Sequence, residues 1–252
     1  MRQLKLAAAK LKPAGGFAQI VHLGLVLLLP IAVFVFVRMH FVQLALAIIL
    51  LSKWRMFAVR PRYWPANLRA NAVDIIVGVS ILVLMVHSGT ETWQLILAAL
   101  YAVWLIAIKP ATNTLMVSVQ AMVGMLLGLL ALFLGWTSAP LYGLVVTAGI
   151  TCYLVARHFF ESFDEGYSKL LAYLWGYFGA ALTWLLGHWL LVYGVVAQPA
   201  LLLLVIGYGL AALYYLDHND KLSTLLKRQF IFIMVAIVVV VLVFSNWGDK
   251  IV

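Results

Sequence analysis

Apolar residues run along this chain in long unbroken stretches, separated by short clusters of charge and turn residues. Cutting at those clusters yields nine segments, at 16–37, 40–58, 68–88, 92–108, 114–134, 140–157, 170–195, 199–216 and 230–246. A helix crossing a hydrocarbon core needs about 20 apolar residues. A barrel strand would be half as long and would alternate in polarity. In hydrocarbon every backbone N–H and C=O must be paired internally, a condition a helix meets by itself. The pattern predicts an all-α polytopic bundle of about nine transmembrane helices, one transmembrane domain over residues 1–252. The second segment is the weakest, because its apolar stretch, Phe41 to Leu51, is short and Lys53 and Arg55 must snorkel to the headgroups. The alternative is a re-entrant hairpin over 16–58 followed by seven spans. Both return the chain to the same side.

Composition agrees. The chain is 66% hydrophobic and 10% charged, with mean hydropathy +1.09, whereas a soluble domain is about half apolar and a quarter charged. The charges are also sorted. Of 17 Lys and Arg residues, all but Arg38 and Lys250 fall on one side once the segments are threaded as spans. The positive-inside rule then predicts a cytoplasmic (inner) membrane protein with its N-terminus in the cytoplasm and its C-terminus outside. Residues 1–15 form a basic cytoplasmic segment carrying Arg2, Lys5, Lys10 and Lys12. It runs directly into a full-length span, so no cleaved signal peptide is expected. The net charge of +9 reads as contact with anionic lipid headgroups and not as nucleic-acid binding, since no basic segment is long enough to form a domain.

The segments between spans leave no room for a soluble catalytic or nucleotide-binding domain. No GxxxxGK[ST] motif is present. Gly207-Tyr208-Gly209-Leu210-Ala211-Ala212 fits G-x-G-x-x-A but lies inside an apolar run, where small residues serve helix packing. Gly124-xxx-Gly128 carries the same meaning. The single Cys152 excludes an internal disulfide. Residues 230–246 lack the lysine a retinal-binding span would need. Asn71-xx-Asp74 and Asp217-His218-Asn219-Asp220 fall short of the aspartate-rich motifs of intramembrane prenyltransferases.

Three constellations could carry chemistry. Arg55, Arg60, Arg62 and Trp64 form a basic–aromatic stretch suited to the headgroup layer, where Arg forks bind a lipid phosphate and Trp anchors. His22, Asp74 and Gln120 are polar residues within spans and would line a path in a carrier. Asp74 matters most, because an intramembrane acid is costly; the competing expectation is an ion pair with Arg69 or another loop arginine. The third set, His158, Glu161, Asp164 and Glu165, has the helical spacing of a weak metal or acid–base cluster. An interfacial elbow ranks above it, with the phenylalanines dipping into the membrane, Arg157 pairing Glu161 and Glu165 pairing Lys169. We therefore assign no catalytic residue, metal or cofactor. The leading expectation is a non-enzymatic membrane subunit or scaffold packing with partners, copies of itself or lipids. A carrier or channel for a small or lipidic substrate follows, then an intramembrane enzyme acting on a phosphorylated lipid.

Overall fold

A computed structural model describes residues 17–136, 140–163, 165–188, 192–193 and 196–245, leaving the side chains of 17–22 and 192–193 outside the description. Apart from turns and short loops, the described chain is helical except for two two-residue strands, β1 (Val192–Tyr193) and β2 (Val196–Ala197), paired antiparallel with Val192 opposite Ala197. The helices are α1 (Phe17–Arg38), α2 (Val42–Leu51), α3 (Trp64–Ala70), α4 (Ala72–His87), α5 (Glu91–Val103), α6 (Thr114–Gly135), α7 (Leu141–Glu161), α8 (Ser168–Gly187), α9 (Gln198–His218) and α10 (Thr224–Phe244). Among the described residues six helices are long and apolar enough to cross a membrane: α5 with its extension to Ile108, and α6 to α10.

Local signals set the helix ends. The side chains of Thr90, Asn113 and Ser223 accept the Trp93, Met116 and Leu226 amides at the starts of α5, α6 and α10. Two helices end on a left-handed residue, His40 after α1 (φ 62°) and Asp220 after α9 (φ 54°). In each the next amide reaches back five residues, Phe41 to the Phe36 carbonyl (2.8 Å) and Lys221 to the Leu216 carbonyl (2.9 Å), closing a Schellman turn.

Two segments differ from the spans expected of them. The expected helix over 40–58 stops at Leu51, so α2 has 10 residues and rises about 15 Å, half a hydrocarbon core. The chain then turns inward at Lys53, which does not snorkel. The expected helix over 68–88 is broken at Asn71, where α3 and α4 meet at 61°. The Asn71 amide donates to the Asn67 carbonyl at 2.9 Å, a local side-chain bond of the kind that competes with the helix ladder.

Helix α6 lies at the centre, touching α4, α7 and α9, and the core gathers around it from Val77, Ile81, Met85, Met125, Leu129, Val155 and Leu203. The tightest pairing is α7 with α8. A Cβ on Gly149 would stand 3.2 Å from the Gly176 carbonyl, and one on Gly176 3.1 Å from the Gly149 carbonyl. The two backbones touch there, which small residues permit and which packing inside a membrane favours. Helix α10 packs on α9 and buries only Val241.

Candidate functional site

Lys53, Asp74, Lys109, Gln120 and His158 converge at one end of the bundle. At that end α2 turns into Lys53, α4 begins with Asp74, and α5 finishes in a π-helical turn over Trp104–Ile108. Asp74 sits in the first turn of α4, where the helix dipole favours an acid. Its Oδ1 accepts the Trp104 indole N–H at 2.9 Å. Its Oδ2 accepts the Lys109 ammonium at 2.7 Å and also the Lys53 ammonium. The Lys53 and Asp74 side chains are 5% and 8% exposed, while Lys109, at 38%, opens to the surface. The π turn makes this possible. Five α-helical residues would leave Trp104 and Lys109 about 140° apart around the axis. The wider turn, closed by the Lys109 amide on the Trp104 carbonyl at 2.8 Å, brings both toward Asp74. One turn further in, the Tyr101 hydroxyl is buried with no hydrogen-bond partner among the described residues. A Cβ on Gly78 would come within 2.9 Å of it, so only glycine admits the ring.

These contacts correct the expected pairing. Asp74 binds two lysines and a tryptophan; Arg69 instead points its Nε at Glu161 Oε1, 3.6 Å away. Glu161 also lies 2.9 Å from Arg157 Nε, the predicted i,i+4 pair, in ion-pair contact but without hydrogen-bond alignment. Arg157 is buried and donates from Nη1 to Ser168 Oγ at 2.8 Å, tying α7 to α8.

Gln120 serves a different purpose from lining a path. Its Nε2 donates to the Ile108 and Ala111 carbonyls at 2.7 and 2.9 Å, with the Lys109 carbonyl at 3.3 Å. It thereby caps the end of the π turn that holds Trp104 and Lys109. Its Oε1 lies 2.9 Å from His158 Nε2, which donates. Gln120 and His158 thus meet, although the sequence reading put them in separate groups. His22 lies outside the described side chains, and so does Asp164.

The third set disperses. His158 faces Gln120, Glu161 faces two arginines, and Glu165 Oε2 accepts the Tyr214 hydroxyl at 2.6 Å. No group of three His, Cys, Asp or Glu side chains gathers among the described residues. The Tyr214 hydroxyl, with two backbone amides, holds the Glu165 carboxyl below the usual glutamate range. Glu165 therefore bonds α9 and not Lys169. The phenylalanines also turn inward rather than into the membrane. Phe159 and Phe163 are buried, and Phe160 and Phe163 set their rings edge-on to Tyr214 at 5.2 and 5.1 Å.

The basic–aromatic stretch is an ordered surface. The Trp64 indole N–H donates to the Val59 carbonyl at 3.0 Å and lies 3.2 Å from that of Phe57, while the Asn67 amide reaches Met56 at 3.1 Å. Arg55, Arg60 and Arg62 are exposed and pair with no acid among the described residues; Arg62 lies 4.7 Å over the Tyr63 ring. Between α6, α7, α8 and α9 an apolar cleft of about 470 Å³ is lined by Met125, Phe159, Phe160, Trp175, Phe178 and Tyr214.

No family model, no curated protein and no solved structure matches this chain.

Proposed function

We propose that this chain is a non-enzymatic membrane subunit or scaffold of the cytoplasmic membrane, with about nine spans, its N-terminus in the cytoplasm and its C-terminus outside. The observation that carries this reading is the state of Asp74. A carrier that moved a cation or proton through Asp74 would need that acid free to take up and release it. Both oxygens of Asp74 are already held, by Lys53, Lys109 and Trp104. The polar groups at this end lock α2, α4, α5, α6 and α7 together.

Arg55, Arg60 and Arg62 face outward without acid partners beside Trp54, Tyr63 and Trp64. That supports a scaffold whose basic face rests on anionic headgroups, where each basic residue contributes about 1 kcal/mol. The grouping of charge supports the topology: Lys53, Asp74 and Lys109 meet at one end, whereas Arg38 pairs with Glu91 at 3.1 Å between the far ends of α1 and α5.

The test is a flux assay on the purified protein in sealed vesicles of phosphatidylethanolamine and phosphatidylglycerol, loaded with a pH dye. The scaffold reading expects proton and potassium leakage equal to that of empty vesicles. Leakage above that level, lost in Asp74→Asn protein that is folded and inserted, overturns it.

A further inference from the structure

A second cleft, of about 570 Å³, lies between α2, α4, α6 and α7. On α4 its lining runs from Ile75 to His87, about 18 Å along the axis. The wall is mostly aliphatic, with Ile76, Val79, Val83 and Leu132 among its residues. None of the lining residues is Asp, Glu, Lys or Arg. The exposed rim, at the end where α4 finishes, presents Gln43, His87 and Trp136.

The hydroxyls in this wall differ from the self-satisfied serines elsewhere. Ser52, Ser88, Ser118, Ser162 and Ser245 each donate to a carbonyl of the preceding turn, which is how a helix serine in an apolar setting satisfies itself. Ser80, Thr147 and Thr151 line the cleft and make no such bond, nor any other among the described residues. Ser80 and Thr151 are only 4% and 7% exposed. Gly128 of α6 helps to fix one of them, since a Cβ there would stand 2.9 Å from the Thr151 methyl. The methyl sits against the glycine. At the rim the His87 Nδ1 is bonded to the Val83 carbonyl at 2.9 Å, so Nε2 is the ring nitrogen left for a ligand. The Gln43 amide has no partner among the described residues.

Hydroxyls that line an apolar slot and have no partner in the protein are placed to bond a polar atom of whatever fills it. The slot is long and aliphatic, its donors are neutral, and it holds no charge to match a phosphate. We propose that this cleft binds a neutral amphipathic lipid, one with a carbonyl- or hydroxyl-bearing head and a long hydrocarbon tail. Long-chain quinones, diacylglycerols and polyprenols share that chemistry. Ser80 and Thr151 hydrogen-bond the polar atoms of the ligand, and the aliphatic wall holds the tail. The site is separate from the basic face, and the inference rests only on the chain lying in a membrane.

Native mass spectrometry of the detergent-purified chain, titrated separately with decyl-ubiquinone, dioleoylglycerol, a polyprenol and phosphatidylglycerol, tests it. The expected result is a saturable one-to-one adduct with at least one neutral probe, which identifies the head chemistry. The near-isosteric pair Ser80→Ala, Thr151→Val should weaken that adduct about tenfold, as expected for two lost hydrogen bonds. Ala131→Phe, which narrows the same slot, should weaken it too, with monodispersity confirming that both variants fold. No saturable neutral adduct, or one of equal strength in both variants, overturns the proposal. So does a phosphatidylglycerol adduct that competes equally for the cleft. Loss of phosphatidylglycerol binding through Arg60→Ala and Arg62→Ala leaves this result untouched and reports on the basic face alone.

Discussion

Lys53 and Arg60 sit seven residues apart in one basic stretch, yet they do opposite things. Lys53 turns inward to Asp74, with a side chain 5% exposed. Arg60, like Arg55 and Arg62, turns outward and meets no acid among the described residues. What separates them is an acid on a neighbouring helix. Where the fold brings a carboxylate to the base, the charge becomes a tie between helices. Where it does not, the charge stays on the surface. The same contrast holds for Arg69, which reaches Glu161 from the same stretch.

The largest effect should come from breaking the inward set. Asp74→Ala leaves two ammonium groups sharing no acid, one of them buried, and should cost about 3–5 kcal/mol. Thermal unfolding in detergent and the yield of monodisperse protein check it. Asp74→Asn keeps an acceptor for Trp104 but removes the charge, and should also lose folded protein. An Asn variant as stable as the parent would make the Asp74 charge dispensable.

Next is Gln120→Leu. It leaves the Ile108 and Ala111 carbonyls and the His158 N–H without partners and should cost about 1–3 kcal/mol. It should also loosen the Asp74 cluster, because the capped turn positions Trp104 and Lys109. Hydrogen exchange of the 104–111 amides measures this, and unchanged protection would separate the cap from the cluster.

On the outward set, Arg60→Ala with Arg62→Ala should leave stability within about 0.5 kcal/mol while weakening association with phosphatidylglycerol by about 1 kcal/mol for each arginine. Partition of the detergent-solubilised protein into nanodiscs of graded phosphatidylglycerol content reads this. The difference from the parent should shrink as salt rises.

The smallest effect is at Glu165. Its carboxyl is held below the usual glutamate range by the Tyr214 hydroxyl. As pH falls through that range the unfolded chain takes up the proton first. The contribution is therefore present at neutral pH and disappears as pH drops through the folded value. Glu165→Gln should flatten that part of an acid-unfolding curve, by lowering the neutral-pH stability slightly while leaving the stability in acid nearly unchanged.

Much of the helical scaffold was legible in the sequence. The segments at 114–134 and 199–216 end within two residues of α6 and α9, because charges and capping residues bound them. The shortness of α2 was legible, since the apolar stretch of that segment runs only from Phe41 to Leu51; the break at Asn71 and the π turn at Trp104–Ile108 left no mark in the hydrophobicity, since both keep apolar residues apolar. Asp74 was legible as the residue to explain. Its partners were not, because Lys53 and Lys109 lie 21 and 35 positions away and come together only when α2, α4 and α5 pack. Lys53 was read as snorkelling, since nothing local reveals an acid on another helix. The inward turn of Phe159 and Phe163 was missed for a related reason, as their partner Tyr214 comes from α9.

The central claim is that Asp74 is a structural charge tied to Lys53. A double-mutant cycle of Asp74→Asn and Lys53→Met, read as unfolding free energy in one detergent, tests it most directly. The account predicts that each single variant is destabilised by several kcal/mol, and that the double variant loses clearly less than the two losses added, with a coupling of about 1–3 kcal/mol. Single variants as stable as the parent, with additive effects, would contradict it and return Asp74 to the position of a free intramembrane acid.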